Sequence, residues 1–250
     1  MSEKELVRFQ IDGLEVEAEK GRMLLPVALE YGFEIPHLCY HEAVSPYGAC
    51  RLCLVEVTKG GRTRMTTACN YPVDAGIEVA TNTEDVQRAR RMILELLLAR
   101  APRSETILTI AQEAGVEGSR FRVIDAADDC ILCGLCERVC REVVGANAIS
   151  FVNRGDRREV APPFADPVAC IACGACVYVC PTDCIKMEEQ GDERTIVRWK
   201  RTLKMQSCPS CGRPFAPLFQ LNWIIDKAHL PKDFYALCPV CRKAKMGISS

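Results

Sequence analysis

The cysteines are the feature of this chain that most constrains its fold. Sixteen of the 17 cysteines in the 250 residues fall into four groups of four. Two of the groups share the spacing C-x2-C-x2-C-x3-C, which supplies three closely spaced thiols and a fourth further along the chain. The first group is Cys130, Cys133, Cys136 and Cys140, and the second is Cys170, Cys173, Cys176 and Cys180. Thiolates in such repeated runs are typical ligands of iron–sulfur clusters. We therefore expect metal centres to replace part of the apolar core.

A disulfide framework is the main alternative use of so many cysteines, and it suits short secreted chains. The first ten residues contain no apolar segment typical of a secretory signal, and no apolar stretch approaches the length that spans a membrane. The best candidate, residues 92–99, is short and contains Glu95. We therefore expect reduced thiols in a cytoplasmic protein without a transmembrane segment.

The charge balance gives little reason to expect a polyanionic partner. The chain has 32 basic and 33 acidic residues, so no net field attracts nucleic acid or a membrane surface. Bound clusters would add negative charge, which basic stretches could partly offset. We nevertheless interpret these stretches as ordinary solvated charge; they comprise Arg88, Arg90, Arg91, Arg198, Lys200 and Arg201.

Residues 1–82 predict a hairpin, a helix and a loop that carries four cysteines. Segments 6–11 and 14–18 alternate apolar and polar residues around Asp12-Gly13, and a helix is predicted from Met23 to Tyr31 before Gly32. Strands are plausible over 52–57 and 76–80. This order is typical of a β-grasp ferredoxin with a [2Fe–2S] cluster, although the cysteine spacing departs from the plant-type run. The four cysteines are Cys39, Cys50, Cys53 and Cys69.

The residues around these four cysteines resemble a known family. Segments 35–41 and 48–57, together with Ala68-Cys69, are similar to the N-terminal domain of the large iron–sulfur subunit of respiratory complex I and of NAD-reducing and iron-only hydrogenases. The resemblance implies a [2Fe–2S] cluster on the four thiolates. His37 and His41 flank the first of them, but four cysteines are already present, so we expect these histidines to serve packing or hydrogen bonding.

A helical linker is predicted over residues 83–119. Thr83 can cap a helix that ends before Pro102, and a second short helix runs from Ser104 to Ala114. The predicted apolar face of the first helix comprises Val86, Ala89, Ile93, Leu96 and Leu97. In complex I and many hydrogenases the corresponding stretch binds a [4Fe–4S] cluster through one histidine and three cysteines. Residues 98–129 contain neither residue type, so the resemblance implies a shortened relative that lacks this cluster.

Residues 120–195 resemble a bacterial ferredoxin with two [4Fe–4S] clusters. In that family the fourth cysteine of each run binds the other run's cluster. The resemblance thus implies one cluster on Cys130, Cys133, Cys136 and Cys180, and another on Cys170, Cys173, Cys176 and Cys140. Pro181 follows Cys180 as the family's pattern requires, whereas Arg141 follows Cys140 where proline is expected. We interpret the remaining cysteine, Cys184, as a packed thiol.

Residues 200–250 contain two C-P-x-C knuckles, formed by Cys208 and Cys211 and by Cys238 and Cys241. Four such thiolates suit a tetrahedral zinc site, which we favour over a single iron with the same ligands. A nucleic-acid zinc ribbon is the alternative, but the flanks are only mildly basic. A small core is expected beside the metal, built from Phe219, Trp223, Ile224 and Ala228.

Together these segments predict an α+β chain: a β-grasp [2Fe–2S] ferredoxin domain, a helical joint, a bacterial-type two-[4Fe–4S] ferredoxin domain and a zinc-ribbon-like tail. Three clusters suggest an electron relay. No G-x-G-x-x-G motif and no P-loop is present, so no catalytic residue is predicted and substrate chemistry is assigned to partners. The resemblance implies an NAD(H)-binding flavoprotein subunit and a catalytic metalloenzyme or flavoenzyme subunit, such as a hydrogenase, a formate dehydrogenase or an electron-bifurcating enzyme. A free-standing ferredoxin and a redox-sensing binding module are the alternatives.

Overall fold

The computed structural model describes residues 5–123 and 125–246, which fall into two compact units. One unit runs to Leu135 and includes Pro181–Cys184; the other comprises Cys136–Cys180 and the chain from Ile185 onward. Residues 1–4, 124 and 247–250 belong to the predicted segments 1–82, 120–195 and 200–250, and they lie outside the described residues.

The first unit contains a five-stranded mixed sheet with the strand order β2-β1-β5-β3-β4. Strands β1 and β5 pair in parallel, and the other neighbours are antiparallel. Helix α1, Leu24–Glu30, buries four residues in the core of this sheet. The predicted β-grasp arrangement is confirmed. The strands are β1 Leu6–Ile11, β2 Leu14–Glu19, β3 Leu54–Lys59, β4 Arg62–Thr67 and β5 Glu78–Ala80.

The turn of the first hairpin lies at Asp12-Gly13, as predicted. Both residues have left-handed backbone angles, with φ of 49° and 80°, which a two-residue hairpin turn requires. The Asp12 carboxylate accepts hydrogen bonds from the Thr81 backbone N–H (2.7 Å) and the Thr81 hydroxyl (2.5 Å). The turn is therefore tied to the residue that follows β5.

Two helices follow the sheet, α2 at Glu84–Arg100 and α3 at Glu105–Glu113. The Thr83 hydroxyl caps α2 by accepting from the Val86 N–H (3.2 Å), as predicted. The predicted apolar face of α2 is partly wrong. Val86 and Leu97 are buried, but Ala89 and Ile93 are half-buried and Leu96 is 47% exposed. The buried stripe instead continues through positions spaced by four residues, namely Arg90, Leu94 and Leu98.

The second unit contains the cysteine-rich segment and a four-stranded antiparallel sheet with the order β11-β10-β9-β8. A π-helical segment, Val139–Val144, follows helix α4, Leu135–Arg138. Strands β9 and β10 pair with each other, so this sheet contains residues from both of the predicted segments 120–195 and 200–250 and from the residues between them. The four-segment division stays a prediction. The elements are α4 Leu135–Arg138, β6 Ser150–Val152, β7 Glu159–Ala161, α5 Ala175–Tyr178, β8 Met187–Gln190, β9 Glu193–Ile196, β10 Arg201–Ser207 and β11 Pro214–Pro217.

Two further helices complete the second unit, α6 at Leu218–Ala228 and α7 at Pro239–Lys245. Helix α6 buries Leu221 and Ile225, whereas Phe219, a predicted core residue, is 43% exposed. The helix lies where it was predicted, but its buried face is rotated by part of a turn from the predicted face. Within the residues described, no helix combines the length and apolar character needed to cross a bilayer.

Candidate metal centres

The first cysteine group comes together at one end of the five-stranded sheet. Cys39 lies in the loop after α1, Cys50 and Cys53 lie just before β3, and Cys69 lies in a short 3-10 turn after β4. All four are buried, and none is more than 5% exposed. The Cys50 backbone N–H donates to Cys39 Sγ at 3.4 Å. Four thiols from three chain segments thus share one enclosed site.

Hydrogen bonds among the four thiols set their pKa values. Hydrogen bonds from the Cys50 and Cys69 thiols stabilise the Cys39 thiolate and lower the pKa of Cys39 to about 2. Donation to Cys39 raises the pKa of both donors, and a hydrogen bond from Cys69 lowers the pKa of Cys53. Thiols that share protons in this way form a donor set that fits an iron–sulfur cluster, whose ligands must be thiolates.

The loop before β3 depends on Gly48. Its φ is 70°, and a Cβ added there would lie 3.1 Å from Asn70 Nδ2. Asn70 accepts a short hydrogen bond from the Thr67 hydroxyl, and the Ala68 N–H donates to the Cys53 carbonyl (2.9 Å). The segment carrying Cys69 is therefore held against the segment carrying Cys50 and Cys53.

The two histidines beside Cys39 make local contacts. Nδ1 of His37 is 2.9 Å from the Ile35 carbonyl oxygen, and the His37 ring packs edge-on against Tyr40. His41 Nδ1 accepts from the Ala43 N–H at 3.1 Å. Each ring thus has one nitrogen engaged with the backbone, consistent with the packing and hydrogen-bonding role predicted for both residues.

A second group lines one largely apolar cavity of the second unit. It consists of Cys140 from the first run and Cys170, Cys173 and Cys176 from the second, with Ile149 and Trp199 among its neighbours. Burial raises the pKa of Cys140 and Cys170, and it raises the pKa of Cys176 to about 12. Ionising a thiol in such a buried, apolar site is unfavourable. A bound cation would stabilise the thiolates and lower these pKa values. These are the four residues that the crossed ligation pattern predicts together.

Hydrogen-bond donors surround this second group. The Ala148 N–H donates to Cys140 Sγ (3.3 Å), and the buried indole N–H of Trp199 donates to Cys176 Sγ (3.5 Å). Arg201 on β10 donates to the carbonyls of Cys170 (2.9 Å) and Val168 (3.1 Å). No role was predicted for Trp199, and Arg201 was interpreted as solvated charge. Both residues lie outside the cysteine runs, so the spacing of the cysteines does not indicate them.

The two cysteine runs have the same backbone shape. Leu132 and Ala172 occupy equivalent positions and have φ of 54° and 52°, while Gly134 and Gly174 have φ of 72° and 81°. A left-handed residue before the second cysteine and another after it turn the loop tightly around its centre. The two runs therefore form loops of matching conformation around their second cysteines.

The remaining cysteines of the two runs are Cys130, Cys133 and Cys136, which are buried, and Cys180, which is half-buried. The Arg100 guanidinium donates to the Cys130 carbonyl at 2.9 Å and supports the start of the first run. These four cysteines are distributed over both compact units. Their assignment to one cluster stays a prediction.

The fourth group brings both knuckles together near the C-terminus. The sulfurs of Cys208, Cys211, Cys238 and Cys241 all lie within 4.8 Å of one another. The Cys238 N–H donates to Cys208 Sγ (3.5 Å), and this bond, with further backbone N–H donors, lowers the pKa of Cys208 to about 6. Four thiols in this arrangement match the donor set of a tetrahedral metal site.

Comparison with known proteins agrees with this geometry. Residues 4–84 match the family model of a 2Fe-2S iron–sulfur cluster binding domain, and residues 129–184 match a 4Fe-4S dicluster domain. The chain carries both ferredoxin domains. Helix α2 beyond its first residue and the β8–β11 sheet lie outside the two matched ranges.

The curated relatives extend the comparison beyond single domains. The chain is 34% identical over 233 residues to the NADPH-Fe(3+) oxidoreductase subunit alpha of Geobacter sulfurreducens, covering 83% of this chain and 27% of that protein. It is 35% identical over 216 residues to the NADP-reducing hydrogenase subunit HndD of Solidesulfovibrio fructosivorans, covering 74% and 36%. It is 32% identical over 233 residues to an NADH-quinone oxidoreductase subunit of Rhizobium meliloti, covering 83% and 27%.

A solved structure gives the same result. A chain of the NAD+-reducing [NiFe]-hydrogenase in its H2-reduced state superposes with a TM-score of 0.55 at 28% identity, over 62% of this chain and 74% of that chain. The resemblance inferred from the cysteine motifs is therefore confirmed. This iron–sulfur chain spans about a quarter to a third of the length of the curated relatives, so their whole activities do not transfer to it directly.

Proposed function

We propose that this chain relays electrons within a multi-subunit oxidoreductase, between an NAD(H)-linked flavoprotein subunit and a second catalytic subunit. The observation that carries the proposal is the presence of a 2Fe-2S domain and a 4Fe-4S dicluster domain in one chain. The relatives that share this arrangement are named as subunits of NADPH-, NADP- and NADH-linked redox enzymes. The second subunit would be a hydrogenase, a formate dehydrogenase or an electron-bifurcating enzyme.

Twelve cysteines are proposed to hold the three clusters. When bound, such clusters supply one-electron transfer. The protein's own residues bind them as thiolates, exclude water with apolar side chains and direct N–H groups at the sulfurs. We assign Cys39, Cys50, Cys53 and Cys69 to the [2Fe–2S] cluster; Cys130, Cys133, Cys136 and Cys180 to one [4Fe–4S] cluster; and Cys170, Cys173, Cys176 and Cys140 to the other.

The group near the C-terminus is proposed to bind zinc. Four cysteine sulfurs within 4.8 Å of one another suit a closed tetrahedral site, in which zinc holds its ligands without changing oxidation state. We propose a structural role for this site, with no part in electron transfer.

Oxygen-free purification of the native complex through this chain tests the relay. Recovery with a flavin- and NAD-binding subunit and one large metalloenzyme or flavoenzyme would support the proposal. Recovery alone at full iron content would contradict it and favour a free-standing ferredoxin. Recovery with a promoter-binding protein would favour the redox-sensing alternative.

A further inference from the structure

One arginine of α2 is buried without a counter-charge. Arg90 is only 9% exposed and lies in the buried stripe between Val86 and Leu94. Its Nη2 donates to the Leu54 carbonyl at 2.6 Å, and its Nε has no hydrogen-bond partner. Among the described residues no carboxylate forms an ion pair with it. Arg88, two residues earlier on the same helix, is 67% exposed and pairs with Asp85 at 3.0 Å.

A guanidinium in this position is unfavourable unless a negative charge lies nearby. Arginine does not give up its proton in proteins, so it cannot escape the cost by becoming neutral. Burial acts to lower the pKa of Arg90, whereas the negative charge of Cys53 and, more weakly, that of Asp12 act in the opposite sense. The backbone group that Arg90 contacts, the Leu54 carbonyl, belongs to the residue directly after Cys53. The first cysteine group is therefore the nearest candidate source of the negative charge that Arg90 lacks.

We propose that Arg90 is the counter-charge of the [2Fe–2S] cluster and raises its reduction potential. The inference rests on the [2Fe–2S] assignment made above. Four thiolates leave such a cluster with net negative charge, which increases by one unit when it accepts an electron. A fixed positive charge therefore stabilises the reduced form more than the oxidised form.

Arg90 acts from outside the matched cluster-binding range, which ends at residue 84. Helix α2 packs against β3, the strand that begins at Leu54, so the helix brings the charge to the cysteine loop. The cluster domain and the helix after it thus form one electrostatic unit. The same charge stabilises the four thiolates during cluster assembly, because all of them must lose their protons.

Three variants of the full chain, loaded with iron under anaerobic conditions, test the proposal. Arg90→Gln removes the charge but keeps a donor for the Leu54 carbonyl, Arg90→Lys keeps the charge, and Arg88→Met removes an exposed charge from the same helix. The readout is a redox titration of the [2Fe–2S] electron-paramagnetic-resonance signal. A unit charge acting across roughly 10 Å at an effective dielectric constant of about 20 changes an equilibrium about tenfold.

We expect Arg90→Gln to lower the ratio of reduced to oxidised cluster at fixed ambient potential by about tenfold, a shift of ~59 mV for a one-electron couple. Arg90→Lys and Arg88→Met should stay within about threefold of the wild type. Equal shifts in the Gln and Lys variants, or no shift in either, would overturn the proposal. If Arg90→Gln fails to retain its cluster, retention by Arg90→Lys supports a requirement for charge, and loss from both variants contradicts it. A wild-type protein without a [2Fe–2S] signal would instead refute the proposed function.

Discussion

The Trp199 side chain contacts one of the proposed cluster ligands directly. Its buried indole N–H donates to Cys176 Sγ at 3.5 Å. Because a hydrogen bond to a ligand thiolate favours the more negatively charged redox state, Trp199→Phe should lower the reduction potential of that [4Fe–4S] cluster. We expect a shift of roughly 40 mV if about 1 kcal/mol distinguishes the two states. Redox titration of the cluster's paramagnetic signal measures it.

Trp223→Phe is the matched control for this experiment. Trp223 is the only other tryptophan of the chain, and its indole N–H has no hydrogen-bond acceptor among the residues that the structure describes. Its removal should leave the potential unchanged. Equal shifts in both variants would show that the indole ring, and not the bond to sulfur, determines the effect.

Gly48 is a position where a single added methyl group should affect the stability of the cysteine loop. Gly48→Ala must adopt a left-handed backbone, at about 1–2 kcal/mol, and must also displace Asn70, whose Nδ2 would lie 3.1 Å from the new Cβ. Gly60→Ala has a similar φ, 56°, but nothing within 4 Å of its Cβ, so it isolates the backbone cost. The thermal midpoint of the iron-loaded protein should fall further for Gly48→Ala than for Gly60→Ala. Equal midpoints would show that the Asn70 contact adds nothing.

At this scale, local spacing allowed the cysteine ligands to be predicted, but it gave no indication of the residues that support them. Cysteine ligands reveal themselves by local spacing, since one loop must supply three of them. Arg90 and Trp199 act on cysteines 37 and 23 residues away along the chain, respectively. The spacing 86-90-94-98 could have indicated that Arg90 lies on the buried face of α2, because those positions form one helical stripe.

At the scale of elements, the starts of α2 and α3 offer a paired test of capping. The Thr83 hydroxyl accepts from the Val86 N–H, so Thr83→Ala should destabilise α2 by about 1 kcal/mol. Ser104 precedes α3 in the equivalent position, but its hydroxyl forms no cap bond and is buried without a partner. Ser104→Ala should therefore be neutral or stabilising. Hydrogen exchange of the amides in the first turn of each helix distinguishes the two cases.

The opposite result would show that Ser104 also caps its helix. If Ser104→Ala accelerated exchange in α3 as much as Thr83→Ala did in α2, the Ser104 hydroxyl would hold a solvent-mediated cap. Local exchange is the appropriate measurement, since a multi-domain, cluster-bearing chain need not unfold in two states.

Several elements have no clear signal in the local sequence. Strand β4, Arg62–Thr67, is an edge strand of largely exposed residues, so it lacks the apolar alternation that identified β1 and β2. Strand β8 is exposed at every position. Both form because a neighbouring strand offers backbone partners, a tertiary effect that local pattern does not report. The first hairpin and the capped start of α2 were predictable because their signals are local.

At the scale of the whole molecule, the cysteine groups should be separable by mutation. Cys173 lines the second group's cavity, where it lies with Cys140, Cys170 and Cys176. Cys173→Ser should remove that [4Fe–4S] cluster, reducing iron from about 10 to about 6 atoms per chain, and leave the [2Fe–2S] signal and about one zinc in place. The [2Fe–2S] signal should survive because its ligands belong to the other compact unit, which has its own apolar core.

Cys184→Ser is the control, because Cys184 is the one cysteine outside the four groups; it should retain all of the iron. Metal analysis combined with electron-paramagnetic-resonance spectroscopy of anaerobically prepared protein gives both readouts. Loss of the [2Fe–2S] signal from Cys173→Ser would mean that the two units do not fold independently, and that cluster insertion in one is required for the other. Loss of iron from Cys184→Ser would make Cys184 a ligand and require a different assignment within the second run.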